Sequence, residues 1–219
     1  MKASKVLAAA ATFLTFAVGA WAQAPSYAVL TPPQPVDTPP GKIEVTEFFW
    51  YGCPHCYHLE PSVASWLQKK PDDVVFKRVP AVPSKSWESL AFVYYTLEAM
   101  GLVDKYHQKV FDAIHKDGQN LGNENVRDKW LAANGIDAAK YKEVEKSFSV
   151  SSKVARAKQL TAAYKVDGVP RIFVNGRYYT GPELAGGTEG MFAVVNQMVD
   201  AARKQKSASL ATGSQVAMH

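Results

Sequence analysis

The chain carries two cysteines, Cys53 and Cys56, separated by Pro54 and His55. Two thiols at this spacing suit three chemistries besides a plain structural bridge: haem attachment, zinc ligation and redox exchange. Covalent haem attachment requires a histidine directly after the second cysteine, and position 57 is Tyr57. Zinc requires about four ligands in a tetrahedron. Cys53, Cys56, His55 and His58 are the nominees, but there is no second cysteine pair, and residues on one helical turn cannot surround an ion. A structural bridge gains most by closing a long loop, whereas a ring from Cys53 to Cys56 is worth only about 2 kcal/mol. Redox exchange is the chemistry left, with no metal and no cofactor.

The flanking elements give that pair its character. Lys42 to Tyr51 is rich in β-branched and aromatic residues and reads as a strand, apolar on much of both faces and so central to its sheet. Ile43, Val45, Glu47, Phe49 and Tyr51 share one face; Glu44, Thr46, Phe48 and Trp50 share the other. A helix opens at about Cys53, with Cys56, Leu59, Val63, Trp66 and Leu67 at helical spacing. Pro54 suits its first turn, and Pro61 is expected to kink or split it. Unpaired N–H groups and the helix dipole favour an anion at Cys53, and His55 adds to that stabilisation. Stabilising the thiolate stabilises the reduced pair and makes the disulfide the stronger oxidant.

Glu47 is the second residue that stands out, an acid on the Ile43/Val45/Phe49 face of a strand that should be buried. Lys77, on the next strand, is its expected partner. Glu60 reads as part of a solvated helix face, and His58, His107 and His115 as surface or core-edge residues with nothing to recruit them.

Beyond the motif, Tyr27 to Leu30 suggests a short edge strand, and residues 23–41 form a Pro-rich, extended lead-in. Val74 to Val79 reads as a second strand. Residues 84–165 are helical almost throughout, divided by turn signals at Gly101, Gly118 to Asn123 and Asn134-Gly135. Arg171 to Val174 and Arg177 to Thr180 form a hairpin through Asn175-Gly176. A last helix is expected from about Thr188 to Lys206, and residues 207–219 as a frayed, flexible tail. Strand–helix–strand followed by hairpin–helix predicts an α/β fold, a mixed central sheet with helices on both faces and an inserted helical domain.

Composition sets the compartment. Lys2 and Lys5, the apolar run from Val6 to Val18 and Ala20-Trp21-Ala22 read as a signal peptide over residues 1–22, cleaved before Gln23. The run is short for a hydrocarbon core of about 30 Å. Hydrophobic content of 47% with five tryptophans indicates a globular chain. The net charge of +5 includes Lys2 and Lys5, and no basic run is long enough for a nucleic-acid groove.

The strand–Cys53-Pro54-His55-Cys56–helix segment, set in Phe48-Phe49-Trp50-Tyr51-Gly52, together with Gly168-Val169-Pro170 before a strand and the Asn-Gly hairpin, resembles the DsbA family of periplasmic disulfide oxidases. The resemblance extends in element order over residues 26–206. It implies a thioredoxin fold over 42–83 and 166–206 with the helical domain at 84–165, and a buried acid beneath the second cysteine, matching Glu47. It also implies that Pro170 is cis and faces the disulfide, with the Val169 backbone free to pair with an extended substrate. By the same resemblance a monomer would act on unfolded exported proteins with free cysteines, and a DsbB-type membrane quinone reductase would reoxidise it. A disulfide isomerase would need an N-terminal dimerisation domain, for which residues 23–41 are too short. A reductase would show a strongly reducing couple, and a secreted binding module would tolerate loss of Cys53.

Overall fold

The computed structural model describes residues 26–216, so the expected signal peptide lies outside the described residues. The elements run β1 (Ala28–Val29), β2 (Ile43–Phe49), α1 (Pro54–Leu67), β3 (Val74–Pro80), α2 (Lys85–Ala99), α3 (Val103–His115), α4 (Glu124–Ala133), α5 (Ala138–Glu145), α6 (Phe148–Ala163), β4 (Arg171–Val174), β5 (Tyr178–Thr180), α7 (Pro182–Ala185) and α8 (Met191–Val216). The strands form one mixed sheet in the order β1-β5-β4-β2-β3. Strand β2 is interior, parallel to β3 and antiparallel to β4. All seven of its residues are buried, as its apolar faces require.

Two apolar cores sandwich this sheet. In one, Ile43, Val45, Ile172 and Val174 meet Leu59, Val63 and Trp66 of α1 and Met191, Val195 and Met198 of α8. In the other, Phe48 and Phe173 pack with Tyr164 after α6, at ring distances of 5.1 and 4.8 Å. Phe49 at the end of β2 and Tyr51 in the turn after it join that second core and reach Tyr94 of α2 and Phe111 of α3. Glu47 follows Val45 of the first core and precedes Phe49 of the second, with no solvent exposure.

Two expectations need correction and one an addition. Helix α1 runs unbroken through Pro61 instead of splitting there. The proline removes one helical hydrogen bond, but Leu59, Val63 and Trp66 on either side are all buried and hold both halves to one core. Helix α8 does not release the chain after Lys206 but continues to Val216. Adding a residue to an existing helix avoids the nucleation cost, so a small polar sequence can prolong it. The lead-in is anchored as well as extended: Leu30 and Gln34 donate backbone hydrogen bonds to Arg177 and Gly176 at 2.7 and 2.8 Å.

That anchoring explains one glycine. Asn175 and Gly176 have φ of 48° and 61°, the left-handed pair that a tight hairpin turn requires. A Cβ at Gly176 would stand 2.1 Å from the Gln34 carbonyl oxygen.

Candidate active site

The turn from β2 into α1 sets the cysteines. The Cys53 N–H donates to the Trp50 carbonyl at 2.9 Å, and Cys53 takes the N-cap position with extended φ and ψ of −92° and 118°. Pro54 is then the first helical residue, where its missing N–H costs nothing. Gly52 has no side chain because the Trp50 indole lies across it, 2.5 Å from where a Cβ would sit. That indole stacks on Trp87 with ring centroids 4.1 Å apart.

Both cysteines are free thiols in this structure. Cys53 is 8% exposed and Cys56 is fully buried. The Cys53 thiol faces the loop before β4 and donates to the Val169 carbonyl at 3.3 Å. The Val169–Pro170 peptide bond is cis.

The two sulfurs differ sharply in acidity. The pKa of Cys53 falls from 9.0 to about 6, foremost because the Cys56 thiol donates a hydrogen bond to its sulfur. Burial opposes this, while the backbone N–H groups of Cys56 and His55 and the charge of His55 reinforce it. Neither N–H closes a regular capping bond to the sulfur. Pro54 and His55 themselves are exposed. Burial pushes the Cys56 thiol well above 9, and the neighbouring Cys53 and Glu47 push in the same direction. One sulfur is thus ready to carry charge at neutral pH, and the other to hold a proton.

Glu47, whose charge reaches Cys56, belongs to a buried polar chain that spans four elements and the turn after β2. Burial raises Glu47 from 4.5 to about 8, with Glu60 adding repulsion and Arg78 opposing both. Arg78 donates from Nε to Glu47 at 3.2 Å and from a terminal nitrogen to Glu60 at 2.9 Å. Glu60 also accepts from His107 Nε2 at 3.1 Å, and Tyr51 Oη lies 2.8 Å from His107 Nδ1. Against its burial, the contacts to His107 and Arg78 hold Glu60 below the usual carboxylate range. Among the described residues Glu47 Oε1 has no hydrogen-bond partner.

These contacts revise four expectations. Lys77 does not reach Glu47; it pairs with Glu44 at 2.7 Å. The register shows why, since Thr46 stands beside Lys77 whereas Glu47 stands beside Arg78. Alternation therefore sends Lys77 to the opposite face and Arg78 to the right one. Glu60 is not on a solvated face but 5% exposed, and His107 is a buried member of the chain. His115 is recruited too: it lies 2.8 Å from the Tyr51 carbonyl oxygen and stacks on Tyr57. The spacing of His107 with Val110 and Phe111 on the core face of α3 was the signal available for it.

Comparison with known proteins agrees with this geometry. Residues 73–199 match the family model of the DSBA-like thioredoxin domain. A thiol:disulfide interchange protein DsbA of Bordetella parapertussis is 45% identical over 205 residues, covering 92% of this chain and 97% of its own. The Azotobacter vinelandii protein of the same name is 45% identical over 164 residues, covering 75% of this chain and 77% of that one. The crystal structure of Pseudomonas aeruginosa DsbA superposes with a TM-score of 0.78 at 39% identity, covering 84% of this chain and 95% of that chain. A thioredoxin fold with a helical insertion, an acidic first cysteine and this degree of likeness agree: the chain belongs to the DsbA family of thiol:disulfide oxidoreductases.

Proposed function

We propose that the chain is a periplasmic oxidase that donates the Cys53–Cys56 disulfide to newly exported proteins. The observation that carries this reading is the division of acidity between the two sulfurs. A substrate thiolate attacks Cys53 Sγ, a substrate–Cys53 disulfide forms, and the Cys53–Cys56 bond breaks with its electron pair on Cys56. That sulfur takes a proton from the carboxyl of Glu47, leaving Glu47 anionic against Arg78 until it regains a proton from solvent. A second substrate thiolate then attacks the substrate sulfur of the mixed disulfide. The substrate leaves oxidised, and Cys53 departs as a thiolate that the helix start stabilises. Two electrons have passed to the cysteine pair.

In this reading Pro54 and His55 tune the couple, and Val169 and Pro170 bind the substrate backbone next to Cys53. The thioredoxin-like unit covers 42–83 and 166–206, and the helical domain covers 84–165. The leader at residues 1–22 directs export, and among the described residues no helix is long and apolar enough to cross a membrane. The protein acts as a monomer on unfolded substrates with free cysteines, and a DsbB-type quinone-linked membrane protein restores the disulfide.

Equilibration with a glutathione redox buffer tests the direction. The expected outcome is a pair that stays largely reduced while oxidised glutathione accumulates, and Cys53→Ser abolishes exchange. A pair that stays oxidised against excess reduced glutathione would make the protein a reductase and overturn the proposal.

A further inference from the structure

His107 belongs to α3 of the inserted domain, yet its ring is 6% exposed and both nitrogens are engaged. A carboxylate only accepts, so the hydrogen between His107 and Glu60 sits on Nε2. Nδ1 of a neutral ring then accepts from the Tyr51 hydroxyl. The ring is neutral because burial lowers its affinity for a second proton, against the pull of Glu60. Tyr51 keeps its own proton for the same reason of burial. The groups facing the ring are Tyr51 in the turn after β2, Glu60 on α1, Tyr94 on α2 and, behind Glu60, Arg78 on β3. Tyr94 is also held protonated by burial, so Arg78 is the one permanent charge in the group.

Two carboxyls, Glu47 and Glu60, share that single guanidinium. They are not equivalent. Glu60 has two donors on separate oxygens, Arg78 and His107, whereas Glu47 has Arg78 on one oxygen and nothing on the other. With one arginine between two buried acids, one proton is retained by the pair, and the better-solvated acid gives it up. We propose that His107 is a positioning residue: by donating to Glu60 it confines the shared proton to Glu47, the acid next to Cys56. This rests on the reading of Glu47 as the proton source for Cys56. It extends that reading by making the inserted domain part of the redox chemistry, through a residue that touches neither sulfur.

Removing the His107 donor should let Glu60 compete for the proton. A neutral Glu60 no longer repels Glu47 and leaves Arg78 wholly to it, so Glu47 would ionise at lower pH. A hydrogen bond to a charged group is worth enough to move that titration by about one pH unit. The test uses the full-length protein in its reduced form, with His107→Leu and His107→Gln. Glutamine can donate to Glu60 and accept from Tyr51, so it should behave as wild type, whereas leucine should not.

Infrared difference spectra of the buried carboxylic acid, followed across pH, read the site of the proton. In wild type and His107→Gln the band should vanish with Glu47→Gln. In His107→Leu the Glu47 band should be lost about one pH unit lower than in wild type. The pH dependence of the Cys53–Cys56 potential should shift by the same unit in His107→Leu alone.

Should His107→Leu fail to fold, ring nitrogen NMR of the wild type reports the tautomer directly. A proton on Nδ1 in place of Nε2 would overturn the proposal, as would a His107→Leu protein whose band is lost at the wild-type pH and whose potential profile is unchanged. The underlying reading fails separately. If Glu47→Gln leaves the pH profile of Cys56 protonation unchanged, Glu47 is not the proton source, whatever the His107 tautomer.

Discussion

Cys53 is only 8% exposed, and burial by itself would make it a weaker acid. The donors around it outweigh that burial, the Cys56 thiol first, then the N–H groups of Cys56 and His55 and the His55 charge. The Cys56 and backbone contributions are short-range and shielded, but His55 is exposed, so its share should be screened by salt. His55→Ala is therefore expected to raise the Cys53 titration midpoint from about 6 by about half a unit at low ionic strength, and by less in high salt. The pH dependence of iodoacetamide alkylation checks this. A midpoint unmoved by the substitution would assign the whole effect to the Cys56 thiol and backbone. Sequence reasoning singled out Cys53 and Glu47 because each violates a local expectation, an acidic thiol at a helix start and an acid in an apolar strand, and His55 because it lies between the cysteines. Arg78, Glu60 and His107 meet only in three dimensions, from β3, α1 and α3, and no periodicity links them.

Elements were the most legible level, since β2, β3 and the hairpin follow from alternation and from one Asn-Gly pair. The two errors at this level have different origins: packing holds α1 together through Pro61, and propagation without a nucleation cost carries α8 past Lys206. Pro61 does not break α1, whose apolar residues on both sides of it are buried. The docking of the lead-in was also hidden, because a Pro-rich run advertises extension and not its partner. That docking carries a prediction. Gly176→Ala places a methyl group 2.1 Å from the Gln34 carbonyl at a positive φ, so the lead-in must lift or the turn must distort. Loss of the Leu30 and Gln34 hydrogen bonds together with the backbone strain should cost about 2–3 kcal/mol. Chemical denaturation measures the loss. Hydrogen exchange should show it as faster exchange at Leu30 and Gln34, with β2 and α1 unaffected.

At the scale of the whole molecule, the redox state of two sulfurs should be readable as folding stability. In the dithiol form Cys53 has a folded pKa of about 6 against 9.0 for an ordinary thiol. The depressed value means that its contribution is fully present above pH 9 and is lost as pH falls through 6. Three units correspond to at most about 4 kcal/mol. Glu47 works in the opposite sense: its folded value of about 8 lies above 4.5, so stability declines as pH rises between those values. The disulfide form has no Cys53 thiolate, and to the extent that Glu47 titrates alike in both forms its contribution cancels in their difference. The gap between the two forms should therefore move toward the dithiol by up to about 4 kcal/mol from pH 5 to pH 9, even where both lose absolute stability to Glu47. Urea unfolding of oxidised and reduced protein at the two pH values supplies that difference. A gap that stays constant would mean that folding does nothing for the thiolate. The preference for donating a disulfide would then have to arise somewhere other than the start of α1.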